Sequence, residues 1–462
     1  MKIALLVVGI LVIAYLAAPG VTQLPDGNDD EKLAAPDLTV TSASGKYIVT
    51  DKAGKQLYTS TSGSVAVQWA LDHLNSGRTA KEKVLMKGTF SLPTPLSIPS
   101  YTTLQLEGTA TGSTSVIKTS SKTQIFIYGG TWKGASAPNI RFDLCDHVTV
   151  CGAKIFAAAN FYDTSYLTVC DNAFANSGSM AGGWAGNDCH DIRYIRNTFN
   201  YAAQFKGDAD FQGWSNTGIY IYTHNDGKAQ KIHDCEVADN KVYNVERDGI
   251  SIYADGAEDE LWNVNVHDNY IYDAGRDSAH PGIAIGTGGN TNPSLIGNVH
   301  DCVIKSNTVK ESGTYNGGGG IHVRGDKCLV ESNTISNTHR PGLAIKDGDH
   351  NTFRYNTVTA TRSVGHPAFL LVGATNNVIQ GNTLKGPFNN NGIGILDYSS
   401  TGYGASSHNT FSGNKIESPG STHYCIAISA GQTYNSFSGT IFVQPYTGTG
   451  IINNGGTTNT FN

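Results

Sequence analysis

Apolar residues recur along most of this chain in a two-part pattern. Each copy has an asparagine with an apolar residue three positions before it and another two positions after it. Most copies continue into a Gly-apolar-x-apolar segment such as Gly249-Ile-Ser-Ile. Alternation of this kind predicts short β-strands. A repeat this short buries its apolar face only against further copies, so the pattern predicts a β-solenoid. The repeated asparagines are Asn172, Asn197, Asn240, Asn269, Asn307, Asn333, Asn356, Asn382 and Asn414.

The spacing of these asparagines predicts where loops are inserted into the coils. The interval is 23 residues from Asn333 to Asn356 but 43 from Asn197 to Asn240. The extra residues concentrate between Asn197 and Asn307, on both sides of the Gly-apolar-x-apolar strands. Two rows of loops beside one sheet would form the walls of a groove, where we expect the functional site. The inserted segments are 200–217, 223–234, 254–263, 273–281 and 286–300.

The N-terminus predicts export of the protein. Lys2 is followed by an apolar run that ends at Ala18 and is shorter than the ~20 residues of a spanning helix. We therefore predict a signal peptide over 1–21, with an uncleaved membrane anchor as the alternative. A flexible linker is expected over 22–38. The protein would be secreted or held at the cell surface, and it would contact a membrane only if the signal were retained.

One domain, a single parallel β-helix over 39–462, is predicted after the linker. Its cap is expected over about 39–80 and its coils over about 85–450. Within the cap, apolar residues at helical spacing predict a helix over 64–74, which would cover the open end of the solenoid. These residues are Val65, Val67, Ala70, Leu71 and Leu74.

The composition argues against nucleic-acid binding, and the cysteine positions predict which thiols are buried. Only 15% of the 462 residues are charged, 54 are glycine, and the net charge is −6, which gives no basic surface for nucleic acid. Cys235, Cys302 and Cys328 share an inward position and are expected to be stacked buried thiols. Cys151 and Cys170 share an outward position on consecutive coils, ~4.8 Å apart. The sequence does not decide whether they form a disulfide or remain two free thiols. A monomer is expected.

Together these motifs resemble the right-handed parallel β-helices of the pectin-lyase-like superfamily. The resemblance covers about residues 60–450. It implies an all-β fold with an internal asparagine ladder and a sugar site on the outward face of the strand after the ladder. A polysaccharide is the partner that it implies. Lyases, hydrolases, epimerases and non-catalytic surface proteins share this fold, so the resemblance leaves the activity open.

The outward residues of the Gly-apolar-x-apolar strands are the candidate site. The isoleucines of these strands point inward, so the residues between them point outward. Among the strands whose outward pairs are given below, charged and aromatic outward residues occur only between 218 and 346, which is where the loops are inserted. The outward pairs are Tyr220/Tyr222, Ser251/Tyr253, Ala284/Gly286, His322/Arg324, Ala344/Lys346, Leu370/Val372 and Gly394/Leu396.

Arg324 and Lys346 are predicted to lie one coil apart, roughly 5 Å. Two cations this close repel each other unless an anion neutralises them, and the carboxylate of an acidic sugar would do so. The alternative is that they pair with Asp326, Asp347 or Asp349. The predicted substrate-binding residues around them are Tyr220, Tyr222, Arg247, His280 and Arg340.

The first functional hypothesis is a lyase that cleaves a uronate polymer by β-elimination. Arg324 would neutralise the carboxylate, Lys346 or His322 would be the base, and Tyr253 would be the acid. The stretch from Gly342 to Val358 resembles a coil of the alginate lyase and chondroitinase B family. Lys346 lies where that family has an arginine, and the family's Lys-Ser motif has no counterpart in this sequence.

Two further hypotheses and one metal site remain open. An inverting glycoside hydrolase would use two carboxyl groups, for which Asp248 is the main candidate, with Asp255, Glu246 or Asp226 as the second. The segment 278–289 resembles the His-Gly strand of polygalacturonases, whose aspartate motifs are absent from this sequence.

A non-catalytic surface or adhesion protein is the third hypothesis. Carboxylate-rich loops suit Ca²⁺, which predicts a possible calcium site, with a solvated loop as the alternative. The residues of that site are Asp255, Glu258 and Asp259.

Overall fold

The computed structural model describes the chain from residue 34 onward with several short gaps. The predicted signal peptide 1–21 and the linker residues up to 33 lie outside the described residues. No helix in the described part of the chain is both long and apolar enough to cross a membrane. The described ranges are 34–135, 138–156, 158–175, 178–183, 188–200, 217–223, 227–276, 280–286, 298–312, 319–361, 366–388, 390–417, 419–420 and 422–462.

A helix and three antiparallel strands form the N-terminal cap, which confirms the predicted capping helix. The helix spans Gly63–Asp72, and the Ser62 side chain accepts a hydrogen bond from the backbone N–H of Val65 at its start. The strands are Leu38–Ala43, Lys46–Asp51 and Gln56–Ser60.

The helix buries one face against the first coils of the solenoid. Ala66, Val67, Ala70 and Leu71 are buried, whereas Val65 is 49% exposed. The prediction that Val65 lies on the apolar face was therefore wrong. Residues 65 and 67 are about 200° apart around a helix with 3.6 residues per turn, so they cannot both face the core.

The remaining strands stack as parallel coils in two sheets, which confirms the predicted β-helix. We call the smaller one the floor sheet, because its outward residues are the candidate site. Its strands in the described part of the chain are Ile117–Ser120, Ile140–Asp143, Ala159–Tyr162, Ser179–Gly183, Ile219–Thr223, Ile250–Tyr253, Ile283–Gly286, Ile321–Val323, Leu343–Lys346, Phe369–Val372, Ile393–Ile395, Ile426–Ile428 and Ile451–Asn453.

The second sheet holds the strands on either side of the repeated asparagines, together with the cap strands. A 3₁₀ turn, Ser399–Thr401, follows one floor strand. The other strands of this sheet are Glu82–Leu92, Thr102–Gly112, Thr123–Tyr128, Thr131–Gly134, Asp146–Cys151, Lys154–Phe156, Ser165–Cys170, Ala173–Ala175, Asp188–His190, Ile192–Ile195, Thr198–Asn200, Lys231–Ala238, Lys241–Tyr243, Glu260–His267, Tyr270–Tyr272, Asn298–His300, Val303–Lys305, Thr308–Lys310, Leu329–Glu331, Thr334–Ser336, Thr352–Arg354, Thr357–Thr359, Val378–Gln380, Thr383–Lys385, Thr410–Ser412, Lys415–Glu417, Ser436–Ser438, Ile441–Val443 and Thr460–Phe461.

The repeated asparagines form a continuous internal ladder, as the sequence predicted. Asn307 is typical: its backbone N–H and its side-chain Nδ2 both donate to Oδ1 of Asn333, at 2.9 and 3.0 Å. The same Nδ2 also donates to the carbonyl oxygen of Val266 at 2.9 Å. Each asparagine thereby satisfies buried backbone groups and joins its coil to the next. A second buried column continues this pattern and consists of Asn351, Asn377, Asn409, Asn435 and Asn459.

The cysteines occupy two kinds of position. Cys235, Cys302 and Cys328 are buried free thiols, as predicted. Cys151 and Cys170 are joined by a disulfide with their Cα atoms 4.7 Å apart, so the structure decides a question that the sequence left open. The bridge connects neighbouring coils, because Cys151 and Cys170 are opposite each other in adjacent parallel strands.

Candidate functional site

The register of the floor sheet brings the predicted outward residues into two columns. In the first, Tyr220 lies beside Ser251, Ser251 beside Ala284, and Ala284 beside His322. In the second, Tyr222 lies beside Tyr253 and Tyr253 beside Gly286. Further on, His322 lies beside Ala344, and Lys346 lies beside Val372. Because every strand keeps the same alternation, the sequence repeat alone was enough to predict these neighbours.

A cluster of cations occupies the C-terminal half of this floor, and Arg324 is its most buried member. Arg324 Nη2 donates to Asp347 Oδ2 at 2.9 Å, and its guanidinium carbon lies 5.6 Å from the centre of the Tyr403 ring. The alternative that Arg324 pairs with a neighbouring aspartate is therefore confirmed. Lys346 differs, because it makes no ion pair with any residue in the described part of the chain.

Burial and neighbouring cations favour the neutral forms of the bases in this cluster. Burial, together with the charges of Arg340 and Arg324, lowers the pKa of the Lys346 ammonium to about 8. Burial, together with the charge of Lys346, holds the pKa of His322 well below its usual value. The cluster therefore offers a neutral imidazole and an amine that loses its proton near pH 8, beside fixed positive charge.

Three further residues belong to this cluster, and the sequence reasoning assigned none of them to the site. The pKa of His366 is lowered by burial and then by the charges of Arg340 and Lys346. A signal for it existed, because His366-Pro367 precedes its floor strand just as His280-Pro281 does. Asp347 was considered only as an alternative ion-pair partner, although the cluster contains it. Tyr403 comes from an irregular segment after a floor strand, and no repeat frame marks it.

A second cluster surrounds Asp248, which is only 1% exposed. Ser251 Oγ donates to Asp248 Oδ2 at 2.5 Å, and His280 Nδ1 lies 3.2 Å from Oδ1. Arg247 Nε donates to His280 Nε2 at 3.0 Å. Because an arginine only donates, Nε2 must accept, so Nδ1 carries the proton and donates to Asp248. Both carboxylate oxygens of Asp248 are thus engaged, and Arg247 and His280 support Asp248.

Tyrosines cover the floor next to Asp248. Tyr220 stacks on Tyr222 at 4.5 Å between ring centres, and the edge of Tyr253 meets Tyr220 at 6.1 Å. Tyr162 and Met180 complete this apolar surface. Burial raises the pKa values of Tyr220 and Tyr253 well above the usual value, and the charges of Asp248 and Asp255 act in the same direction. Both hydroxyl groups are therefore protonated.

The structure does not bring Tyr253 and Lys346 together. Along the floor, Tyr253 is followed by Gly286, Arg324 and Lys346, so three strand spacings, ~14 Å, separate the backbones of Tyr253 and Lys346. Tyr253 is thus badly placed to be the acid at the bond where Lys346 is the base. Gly286 itself has no room for a side chain, because a Cβ there would lie 2.6 Å from Cβ of Arg324.

The three residues predicted to bind calcium do not form a common site in the structure. Asp259 is buried, and its two carboxylate oxygens accept the backbone N–H groups of Gln230 and Gly256, at 3.0 and 2.7 Å. Glu258 is exposed, and Asp255 is half-buried. These three residues therefore do not fit a shared Ca²⁺ ion, and the geometry gives Asp259 a structural role in shaping its turn.

Comparison with known proteins agrees with this architecture. The family model described as "Right handed beta helix region" matches residues 207–462. The chain belongs to the right-handed β-helix family. No curated protein matches its sequence.

Solved β-helix structures resemble the chain over most of its length at low sequence identity. The A-module of the mannuronan C-5 epimerase AlgE6 from Azotobacter vinelandii is 13% identical, covering 83% of this chain and 97% of its own, with a TM-score of 0.43. The tailspike of Escherichia coli bacteriophage HK620 is 12% identical over 85% and 76%, with a TM-score of 0.47. The α-1,3-glucanase of Streptomyces thermodiastaticus is 16% identical over 86% and 67%, with a TM-score of 0.41.

In this β-helix, parts of the predicted groove walls lie outside the described residues. These parts include His224, Asp226 and most of the segments 200–217 and 286–300. The site as described is therefore the floor of the groove with its immediate flanks. It carries a tyrosine and carboxylate cluster at its N-terminal end and a cation cluster at its C-terminal end.

Proposed function

We propose that this protein is a polysaccharide lyase that cleaves a uronate-containing polymer by β-elimination at the cation cluster. The observation that carries the proposal is the position of Lys346. It stands half-buried on the floor beside Arg324, with no carboxylate partner in the described part of the chain. The carboxylate of a bound sugar would neutralise part of the positive charge of this cluster.

The reaction would use three side chains. Arg340 and Arg324 would neutralise the sugar carboxylate, which makes the proton on the adjacent carbon acidic. The neutral amine of Lys346 would remove that proton, and the electrons of the broken C–H bond would form the carbon–carbon double bond. The bond to the glycosidic oxygen would break with its electron pair. The Lys346 ammonium would then return a proton to that oxygen, directly or through solvent.

His322 is a weaker candidate for the base. Its imidazole is neutral, but a Cβ added to Gly319 would lie 2.1 Å from its Nε2 atom, so that nitrogen faces the backbone of the preceding turn. Lys346 is the more exposed of the two side chains. We therefore assign proton removal to Lys346 and treat His322 as part of its supporting environment.

Hydrolysis by Asp248 is the competing mechanism, and the geometry favours it less. An inverting hydrolase needs two carboxyl groups with room for water between them. Asp248 is buried, and both of its oxygens already accept hydrogen bonds. The side chain therefore supports the sheet and is poorly placed to face a substrate.

The test is an elimination assay on a panel of uronate polysaccharides, which follows the ultraviolet absorbance of the unsaturated product. Lys346→Ala and Arg324→Ala should each lose at least about 100-fold in activity, because general-base catalysis typically contributes that much. Asp248→Asn should retain most of the activity, with folding of each variant checked by circular dichroism. The opposite pattern, or release of reducing ends without unsaturated product, would move the assignment to hydrolysis.

We also propose that the whole protein is exported, on the strength of the N-terminal residues 1–21, and that it acts as a monomer. Calcium is not needed for any step of this mechanism.

A further inference from the structure

The chain itself covers the floor of the groove directly beyond Lys346. Val372 lies beside Lys346 in the same outward column, one strand further on, and Leu370 lies beside Ala344 in the other column. Although both positions face outward from the solenoid, Val372 is only 2% exposed and Leu370 only 3%. Other side chains therefore lie over them. The side chains that pack on this part of the floor are Leu396, Tyr398 and Tyr403.

The covering side chains belong to an insertion into the coil that follows. Ile395 is in register with Leu371, and Ser407 is in register with Thr375. The chain therefore takes 12 residues to cover a distance that the preceding coil covers in 4. We call residues 396–406 the end wall, because they rise from the floor on the C-terminal side of the cation cluster.

Local hydrogen bonds define the path of the end wall. Its 3₁₀ turn, Ser399–Thr401, starts after Asp397, whose Oδ1 accepts the backbone N–H of Ser399 at 2.8 Å. The turn ends at Gly402, which has a φ of 93° and donates its N–H to the carbonyl oxygen of Ser399 at 3.1 Å. Glycine suits this position because the left-handed region costs it little. The wall thus has a fixed turn between its two tyrosines.

Tyr403 extends from the end wall back to the cation cluster. The ion pair with Asp347 holds the Arg324 guanidinium in the coil of Lys346, and the centre of the Tyr403 ring lies 5.6 Å from the guanidinium carbon. The floor strand that precedes Tyr403 is two strand spacings, ~10 Å, beyond the strand of Lys346. Tyr403 therefore spans the coil of Val372 and borders the position of the proposed reaction.

We propose that the end wall makes this protein an exo-acting lyase, which releases a mono- or disaccharide from one end of its polymer. A sugar bound at Lys346 has about one strand spacing, ~4.8 Å, before the covered floor at Val372 begins. An extended polymer would collide there with Tyr398 and Tyr403, so the polymer ends on this side of the site. This inference rests on the proposed lyase function and adds the mode of cleavage and the residues that determine it.

The first experiment follows the lengths of the products that the full-length protein forms. The substrates are polymannuronate, polyguluronate, polygalacturonate and a polymer in which glucuronate alternates with a neutral sugar. We expect unsaturated mono- and disaccharides to exceed longer oligomers by at least about tenfold from the first time points, because a preference of about 1.4 kcal/mol for one binding mode gives that factor. Longer oligomers in equal or larger amounts would overturn the inference and leave the lyase function intact.

The second experiment removes the aromatic side chains of the end wall. Tyr398→Ala/Tyr403→Ala should raise the share of longer oligomers by roughly fivefold or more, because a loss of about 1 kcal/mol in discrimination gives that factor. Tyr403→Phe keeps the ring and should keep the wild-type pattern of product lengths. Tyr355→Ala is the matched control, since Tyr355 is an exposed tyrosine of the second sheet whose ring centre also lies near an arginine, 5.9 Å from Arg354.

The outcomes separate the possible failures, with folding of each variant checked by circular dichroism. An unchanged pattern of product lengths in the double variant, or an equal change in Tyr355→Ala, would overturn the inference. Loss of elimination in Tyr403→Phe would show that Tyr403 acts through its hydroxyl group and would overturn its steric role. Tyr403→Ala alone gives the same test if the double variant does not fold. Absence of unsaturated product from every polymer would overturn the proposed lyase function, and the inference would fall with it.

Discussion

At the scale of single residues, environment decides which lysine can act as a base. Lys346 and Lys385 are the same residue type and both lie on strands of the solenoid. Lys385 is exposed on the second sheet, whereas Lys346 is half-buried beside two arginines. Burial and like charge favour the neutral amine, and together they lower the pKa of Lys346 to about 8.

This pKa predicts the pH dependence of the reaction. The neutral amine is the minor form below pH 8 and predominates above it, so kcat/KM should rise with pH and level off above about 8. Lys346→Arg keeps the positive charge but cannot lose its proton, so it should abolish the rise and most of the activity. Lys385→Ala is the control and should keep the wild-type profile. A profile that is already flat from pH 6.5 upward would point to His322, whose pKa is well below that value.

At the scale of the elements, the strands are too short to be stable alone. Many of those in the described part of the chain have only three residues, such as Ile321–Val323 and Lys241–Tyr243. Their stability comes from stacking between coils and from the asparagine ladder at each turn. The ladder also holds the register on which the two columns of the floor depend.

Removing one asparagine from the ladder should therefore destabilise the protein. Asn307→Ala loses the bonds to Val266 and Asn333 and leaves Asn269 without the acceptor of its own N–H and Nδ2 groups. We expect a loss of about 2–4 kcal/mol in the free energy of unfolding, because several buried polar groups lose partners at once. Urea unfolding would measure it. Asn298→Ala, at an exposed position, should change stability by less than about 0.5 kcal/mol. Equal effects of the two substitutions would contradict a structural role of the ladder.

At the scale of the whole molecule, the solenoid is a linear stack in which each coil contacts mainly its neighbours. Covalent links between neighbouring coils therefore act locally. The Cys151–Cys170 disulfide joins two coils on the N-terminal side of the site and closes a segment of 19 residues in sequence separation. An exported protein would keep such a bond oxidised.

The disulfide leads to a prediction about thermal stability. Reducing agent should lower the melting temperature of the wild-type protein, because a bridge of this length contributes about 2–4 kcal/mol. The double variant Cys151→Ser/Cys170→Ser should start from the lower melting temperature and should not respond to the reducing agent. A wild-type melting temperature that does not change on reduction would show that the bridge does not contribute to stability.

The fold and most outward residues of the floor could be predicted from the amino-acid sequence. A strict alternation within each strand, repeated in every coil, fixes which side chains point outward and which of them become neighbours. Tyr222 beside Tyr253 and His322 beside Ala344 followed from that rule. The helix at the cap was also predictable from its apolar spacing. The exposure of Val65 was not, because residues 65 and 67 cannot both face the core and the spacing does not say which of them does.

The contacts that these residues make depend on the three-dimensional paths of the turns. Arg324 pairs with Asp347, Asp248 is closed off by Ser251 and His280, and Asp259 accepts two backbone N–H groups. Each of these contacts joins a strand to a turn or to another coil, and the path of a turn is not encoded by the strand repeat. The same reason explains why Tyr403 was missed. The separation of Tyr253 and Lys346 by three strands, in contrast, follows from the strand repeat itself.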